Sequence, residues 1–521
     1  MLDAAIIGAG HNGLVCAFYL ARAGKKVRLY EARAVVGGAA VTEEFAPGFR
    51  NSTASYTVSL LQPKVIADMA LEARGYRVME RPFANFLPLE GDYLLVGSGV
   101  AATQAEFARF SAKDAAALPG YYAMLETVAE VLRDLALRIP PRVDGGLPAL
   151  VDAAMQSRKV ARLPLAAQRD VLALFTRSAR EVLDRWFESE PVKAAFGFDA
   201  CVGHYASPEA PGSAYVLLHH VFGEVNGKKG AWGHVPGGMG TITRAMAEAV
   251  REAGGEFVTE APVERVLVEQ GRAVGLRLAG GEEVRARRVV ANLGPRPLFD
   301  RLVPREAVPA DFVRAMDGYA GGSASLRMNL ALAGLPRFRP APAGEEHLKA
   351  GIVIGPSLAY MDRAWRDARE RGYSARPIVE MLIPSLVDDS LAPPGQHVAS
   401  LFCQHVDPDL PEEREGEAVE AVLDTVERHA PGFRALILAQ QVHTPRALEA
   451  KFGLWRGDIF HGRMSLDQLW AARPVLGAGS YRTPVPGLWL CGAGTHPGGG
   501  VTGATGHNCA HAILREGRWR G

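Results

Sequence analysis

Ala4-Ala5-Ile6-Ile7-Gly8-Ala9-Gly10-His11-Asn12-Gly13 opens the chain, and Val27-Arg28-Leu29-Tyr30-Glu31 follows after a helical interval. Two apolar runs, a glycine triad between them and an acid closing the second make a complete βαβ unit for a dinucleotide. Each part has a physical task. Gly8 permits the tight turn out of the strand, and Gly10 lets backbone amides approach a pyrophosphate with no Cβ in the way. Gly13 lets the helix pack close on the sheet. The helix N-terminus offers free N–H groups and a partial positive charge to the phosphates. Glu31 stands about 20 residues on, where a carboxylate accepts bonds from ribose hydroxyls.

The pattern continues as Glu31-x-Arg33-x-x-x-Gly37-Gly38. The second glycine pair marks another close backbone approach, and Arg33 is placed to pair with phosphate or stack on adenine. This extension is typical of FAD proteins of the glutathione-reductase structural class, and plain NAD dehydrogenases usually lack it. The expected cofactor is therefore FAD.

With 521 residues the chain is too long for one core, so two or more domains are expected. The 58 basic and 57 acidic residues leave a net charge of +1, which gives no case for a nucleic-acid partner. Five scattered cysteines imply no disulfide framework and favour a reducing, cytoplasmic compartment. None of them forms a Cys-x-x-Cys or Cys-x-x-x-x-Cys pair, which argues against a flavin disulfide reductase. The fingerprint starts at residue 8, so no cleavable signal peptide is expected before it. No apolar stretch approaches the ~18 residues needed to span a bilayer, so a protein that is soluble, or peripheral at a membrane, is expected. The adjacent His219-His220 point apart on a helix or strand and lack supporting ligands, so no metal is expected.

Residues 104–200 read as helical, and Leu172, Phe175, Ala179, Val182 and Trp186 mark one amphipathic face. That face serves either packing within its own domain or, as an apolar substrate requires, a lid or membrane-docking helix. Pro236-Gly237-Gly238-Met239-Gly240 leads into a helix over 241–253, then three short strands over 263–269, 273–278 and 283–291. Further strands are expected over 378–383 and 397–404, and over 486–492, with a glycine loop at 493–500 and a helix over 501–514. The expected architecture is α/β: a Rossmann-like FAD domain of the glutathione-reductase type built from 1–60, 230–310 and 475–521. An α+β substrate domain from 61–229 and 311–474 is inserted into it. The meander resembles the second nucleotide-domain segment of FAD oxidoreductases, whose first strand, here near Val263, passes the adenine.

Gly492-Ala493-Gly494-Thr495-His496-Pro497 imitates a second GxGxxG but has Pro497 in place of the third glycine. The better reading takes Gly498-Gly499-Gly500-Val501-Thr502-Gly503 as the opening of a helix. Its amides can face the flavin edge that becomes anionic on reduction. Gly492, Gly499, Gly500, Val501 and Thr502 thereby join the expected cofactor contacts.

Together these motifs resemble the phytoene desaturase (carotenoid dehydrogenase-like) branch of the FAD-dependent amine oxidase superfamily. Within that branch they are most similar to the pyridine nucleotide-disulfide oxidoreductase domain-containing protein 2 group. The resemblance runs nearly end to end and also rests on Asn51-Ser52-Thr53-Ala54-Ser55-Tyr56, on Asp458-Ile459-Phe460-His461-Gly462 and on Ser465-Leu466-Asp467-Gln468-Leu469. It implies a two-domain oxidoreductase with non-covalent FAD, whose relatives remove hydrogen from long, apolar substrates. Hydride then leaves to the flavin and a proton goes to a base or to water. His461 and His496 are the first candidates near the flavin, with Asp458 and Arg463 flanking His461 and Tyr56 lining the cavity. Two other readings stay open at this point. One is a flavin amine oxidase; the other is a non-catalytic binder of prenyl or lipid groups, as in Rab GDP-dissociation inhibitors.

Overall fold

The computed structural model describes residues 1–143, 145–219 and 221–518; of the His219-His220 pair, His220 lies outside this set. Five strands form one parallel sheet in the order Glu256–Val258, Val27–Tyr30, Ala4–Ile7, Val289–Ala291, Leu488–Leu490. The central strands Ala4–Ile7 and Val289–Ala291 are buried along their whole length. Apolar residues at consecutive positions suit a parallel strand covered on both faces. On one face Ile6, Leu29, Val290 and Trp489 share a core with the helices His11–Arg22, Gly240–Glu252 and Ala504–Arg518. On the other, Ala5, Ile7, Val289, Leu488 and Leu490 meet the antiparallel meander Val263–Glu269, Arg272–Leu278, Glu283–Arg285.

A second sheet of seven strands carries the rest. Its order is Ile437–His443, Ser325–Leu332, His397–Val406, Tyr373–Leu382, Gly351–Ile354, Asn85–Pro88, Tyr93–Val96. Alternation along the strands sends neighbours to opposite faces. Val379 and Met381 join Val422 and Val426 of the helix Glu415–His429. Ile378 and Phe402 instead face a core built from the helices Ala112–Ala136, Ala179–Leu183 and Glu190–Cys201. The helices between residues 112 and 201 therefore form a body over this second sheet.

Three elements differ from the sequence reading. The expected 283–291 strand divides: Glu283–Arg285 ends the meander, and Val289–Ala291 belongs to the parallel sheet. The amphipathic face over 172–186 spans two helices, Leu165–Thr176 and Ala179–Leu183. Ser178 separates them with a capping box, its side chain accepting from Glu181 N–H while Glu181 reaches back. Ala179 and Val182 pack inward, whereas Leu172 is exposed, because the break turns it out of register. The last helix begins at Ala504, not 501. Gly498, Gly500 and Gly503 all adopt positive φ, which a right-handed helix excludes.

The helices His11–Arg22 and Ala504–Arg518 cross at Gly506, where a Cβ would run into the Asn12 carbonyl. Gly506→Ala is expected to lower stability by about 1–3 kcal/mol through overpacking. Gly416→Ala, on the helix Glu415–His429 with open space around it, is expected to raise stability by about 0.5–1 kcal/mol. Denaturant midpoints of the two variants check this pair of opposite signs.

Candidate functional site

The first turn is shaped by backbone contacts that only glycines permit. Gly8 has φ +84°, and a Cβ on Gly13 would collide with the Gly8 carbonyl. Gly10 is the N-cap of the helix His11–Arg22, no side chain caps that end, and the first helical bond runs from Leu14 N–H to Gly10 O at 3.0 Å. The first-turn amides are thus left for a ligand. Gly37 N–H donates to Ala9 O at 2.8 Å, and a Cβ on Gly38 would stand 3.1 Å from Gly10 Cα. The two glycine segments lie against each other. Asn292, just past the strand Val289–Ala291, completes the contact: a Cβ on Gly10 would come within 2.8 Å of its Nδ2.

Glu31 accepts from Ala9 N–H at 2.8 Å through Oε2 and from Arg33 N–H at 3.1 Å through Oε1. Those bonds fix the carboxylate and leave a lone pair on each oxygen. Ala261 N–H donates to the Glu31 carbonyl and Glu260 N–H to that of Arg33, bringing the start of the Val263–Glu269 strand beside this turn. Arg33 departs from expectation. Its guanidinium pairs with Glu43, donates to Gly38 O at 3.2 Å and lies 5.0 Å over the Phe452 ring. It braces the second glycine pair, and the Glu43 carboxylate that holds it also pairs with Lys451.

The C-terminal loop meets the same place from the other side. A Cβ on Gly492 would strike the Leu293 carbonyl, and one on Gly499 would strike Phe460. Gly499, Gly500 and Val501 lie in the loop, not on the helix; Thr502 Oγ1 accepts from Ala504 N–H at 3.1 Å at the helix start.

A cavity of about 1280 Å³ opens between the glycine loops and the second sheet. That exceeds the roughly 300–1,000 Å³ of ordinary small-ligand sites. His11, Ala39, Ala40, Ala493, Gly500 and Val501 line one end, and Leu125, Phe196, Phe198, Val202, Leu217 and Phe402 line apolar walls. His11 Nε2 is buried without a hydrogen-bond partner. Tyr56 reaches the cavity, stacks on Phe402 with ring centres 5.7 Å apart, and donates its hydroxyl to Glu380. Arg327 lies 4.2 Å over the same ring. Burial, then the Glu380 charge, raises the Tyr56 pKa well above the phenol range.

Of the two candidate histidines only His461 lines the cavity. It takes φ +56°, and its carbonyl accepts from the Tyr319 hydroxyl. Burial lowers its pKa to about 4, with Asp458 opposing and Arg473 assisting. The placement of His496 differs from expectation: Nε2 meets Leu135 O at 2.9 Å, and the ring packs edge-on to Trp470 at 4.4 Å. It cross-links the loop to the helix Ala112–Ala136. Asp458 also differs. Its carboxylate accepts from Gly322, Phe460 and Gly462 N–H and from the Ser323 hydroxyl, at 2.8–3.0 Å. Four donors saturate it, so it anchors the 458–462 turn and has no free oxygen for chemistry.

Sequence reading missed five residues. Arg473, with no exposed surface, donates to the carbonyls of Phe460, Gly462, Arg463, Gln468 and Ala493. Arg81, Asp199 and Glu380 line the cavity from segments distant in sequence. No local motif announces any of them; only His11, inside the glycine triad, had a signal in plain view.

The family model for flavin-containing amine oxidoreductases matches residues 13–514. This chain belongs to that family. Its cofactor is FAD, and the site fits one: uncapped first-turn amides, a fixed acid at the second strand and a glycine-walled cavity with an unpartnered His11 nitrogen. A pyridine nucleotide-disulfide oxidoreductase domain-containing protein 2 of Rattus norvegicus is 41% identical, over 99% of this chain and 93% of the relative. The lycopene-forming phytoene desaturase of Pseudescherichia vulneris is 26% identical, covering 99% of each chain. Putrescine oxidase shares the fold, with a TM-score of 0.59, 16% identity and coverage of 100% of this chain and 99% of that one. Among the described residues no helix is long and apolar enough to cross a membrane.

Burial lowers the pKa of His11, His204, His461 and His496 from 6.5 to about 4. The folded state therefore holds them neutral while the unfolded chain protonates them below 6.5. Their contribution is complete above pH 6.5 and is lost as pH falls towards 4, on the order of 1–2 kcal/mol each by pH 5. The melting temperature is expected to drop steadily from pH 7 to pH 5; a flat profile would contradict the assignment of neutral histidines.

Proposed function

We propose that the protein is an FAD-dependent dehydrogenase that takes hydride from a hydrophobic, isoprenoid- or lipid-like molecule. The observation that carries this reading is the large cavity with apolar aromatic and aliphatic walls, continuous with His11, Ala493, Gly500 and Val501. A desaturase relative and a two-sheet scaffold spanning the whole chain support it.

Gly8, Gly10 and Gly13 with the first-turn amides hold the pyrophosphate, Glu31 the ribose, and Gly37 and Gly38 keep the crossing free of side chains. Val263 borders the adenine. Gly492 and Gly499 let the C-terminal loop close on 293 and 460, and Gly500, Val501 and Thr502 present the flavin end. No covalent attachment is required by this arrangement. When bound, FAD supplies a two-electron acceptor. Tyr56, held by Glu380 and Arg327, forms a rigid cavity wall. The neutral His461 ring, at the cavity edge, accepts the proton released beside the broken C–H bond. Apolar walls keep water from that proton transfer.

The helix Gly146–Ala161 carries Leu147, Leu150, Val151 and Met155, each more than half exposed, followed by Arg158, Lys159 and Arg162. In this reading that apolar stripe with its basic end rests on an anionic lipid surface, from which an apolar substrate enters. Flotation with phosphatidylserine vesicles is expected to carry the protein, and Leu150→Asp with Met155→Asp to abolish it.

Gly10→Val is expected to remove bound FAD, read as loss of absorbance near the flavin bands, with the fold retained by circular dichroism. For His461→Asn, which tolerates the left-handed backbone, flavin content stays normal and flavin reduction by an apolar donor slows on the order of 10²-fold. An unchanged rate would make His461 a structural residue, and hydrogen peroxide release with a panel of simple amines would replace the dehydrogenase reading.

A further inference from the structure

Arg81 lines the cavity without a salt bridge of its own. Its hydrogen bond within the protein goes to the Thr57 hydroxyl, and among the described residues no carboxylate forms an ion pair with it. A guanidinium has five N–H donors in a planar fork, so most of that fork is left for a ligand. The other cations on the cavity wall are already paired: Lys228 with Glu80, Lys229 with Glu126 and Lys349 with Glu346.

One nearby carboxylate, Glu380, lies within coulombic reach of two buried guanidiniums, Arg81 and Arg327, so a positive charge is left over. Glu380 accepts from Tyr56, and the buried Arg327 beside that ring supplies a counter-charge. Asp199, on the helix Glu190–Cys201, faces the same cavity. Burial, then the Glu380 charge, pushes its pKa up to about 8, so at neutral pH it is a carboxylic acid. Burial also pulls the Arg81 pKa down, with Glu380 and Tyr56 opposing, which marks a cation set in a desolvated place. An unpaired cation in an apolar chamber is costly unless the ligand completes it.

We propose that Arg81 anchors the head group of the substrate, and that this substrate is a long apolar chain ending in a carboxylate. A single uncompensated cation matches a monoanion. A phosphate would bring a second charge with no partner, and an amine would bring like charge against the guanidinium. The inference rests on the reading of the cavity as an apolar substrate site and adds to it what the polar end recognises. It also makes Arg81 the specificity-determining contact within the cavity.

The test uses the FAD-loaded protein and four probes of equal chain length: dodecanoate, dodecanol, dodecyl phosphate and dodecylamine. Binding is followed by calorimetry and by perturbation of the flavin spectrum. Dodecanoate is expected to bind at least ~10-fold tighter than dodecanol, as a charge-assisted bidentate pair requires, and tighter than the phosphate and the amine. Arg81→Met is expected to bring the acid-to-alcohol ratio to within ~2-fold of unity, with dodecanol affinity and flavin content unchanged. Arg81→Lys is expected to keep part of the preference. A wild-type ratio near one, tighter binding of phosphate or amine, or a preference that survives in Arg81→Met overturns the proposal. The wild-type ratio decides the matter even if a variant fails to fold. Failure here leaves the flavin bound and reducible by an apolar donor, whereas failure of the dehydrogenase reading appears as flavin that no such donor reduces.

Discussion

Arg473 is a full positive charge with no exposed surface, and five carbonyl oxygens from 460, 462, 463, 468 and 493 surround it. Burying a charge is tolerable only when its donors are satisfied. Here satisfaction requires the 458–468 segment and the C-terminal loop to lie together. Asp458 does the complementary work, collecting amide donors from 322, 460 and 462. Between them these two side chains fix a turn that carries His461 to the cavity edge and sets Phe460 against Gly499. Without that knot, the two sheets would share a surface but not a site.

The same logic of enforced contact runs through the glycines. Gly10, Gly13, Gly38, Gly492 and Gly499 each stand where a Cβ would press on neighbouring backbone or on a side chain built into the crossing. They are requirements of tertiary approach as much as of local turn geometry. Asn292 shows this from the other side. It is a single polar side chain past a sheet strand, and it touches the first loop at Gly8, Gly10 and Gly13. The parallel sheet aligns the C-terminal ends of its strands, so loops far apart in sequence arrive together at one edge, as doubly wound folds do around their ligands.

The second sheet brings a different kind of information. Its period-2 alternation sends one side of the central strands to the helix Glu415–His429 and the other towards the helical body and the cavity. Glu380 sits between Val379 and Met381, which pack against the helix Glu415–His429. Arg327, in a fully buried strand, rises beneath the Tyr56 ring. The result is a chamber with apolar walls into which Arg81, Asp199 and Glu380 also face.

The chain's own order of residues determined the nucleotide half of the protein. The glycine triad, Glu31 and the paired Gly37-Gly38 lie within ~30 residues, and their spacing is dictated by turn, helix and phosphate geometry that hardly vary between proteins. The strands at 263–269, 272–278 and 397–406 were legible for the same reason, since alternation and turn glycines are local signals. What His496 and Asp458 do was not legible. A histidine or an aspartate in a glycine-rich loop looks alike whether it faces a ligand or bonds a distant carbonyl, and only the packing of 496 against 135 and 470 separates the two. Arg81, Asp199 and Glu380 lay outside any motif, because their meeting is set by three elements folding around one volume. The sequence thus determined the glycine turn and the fixed acid beside it, through constraints that act along the chain. The tertiary structure alone decided which side chains face the cavity, because that depends on charges and apolar surfaces brought together from hundreds of residues apart.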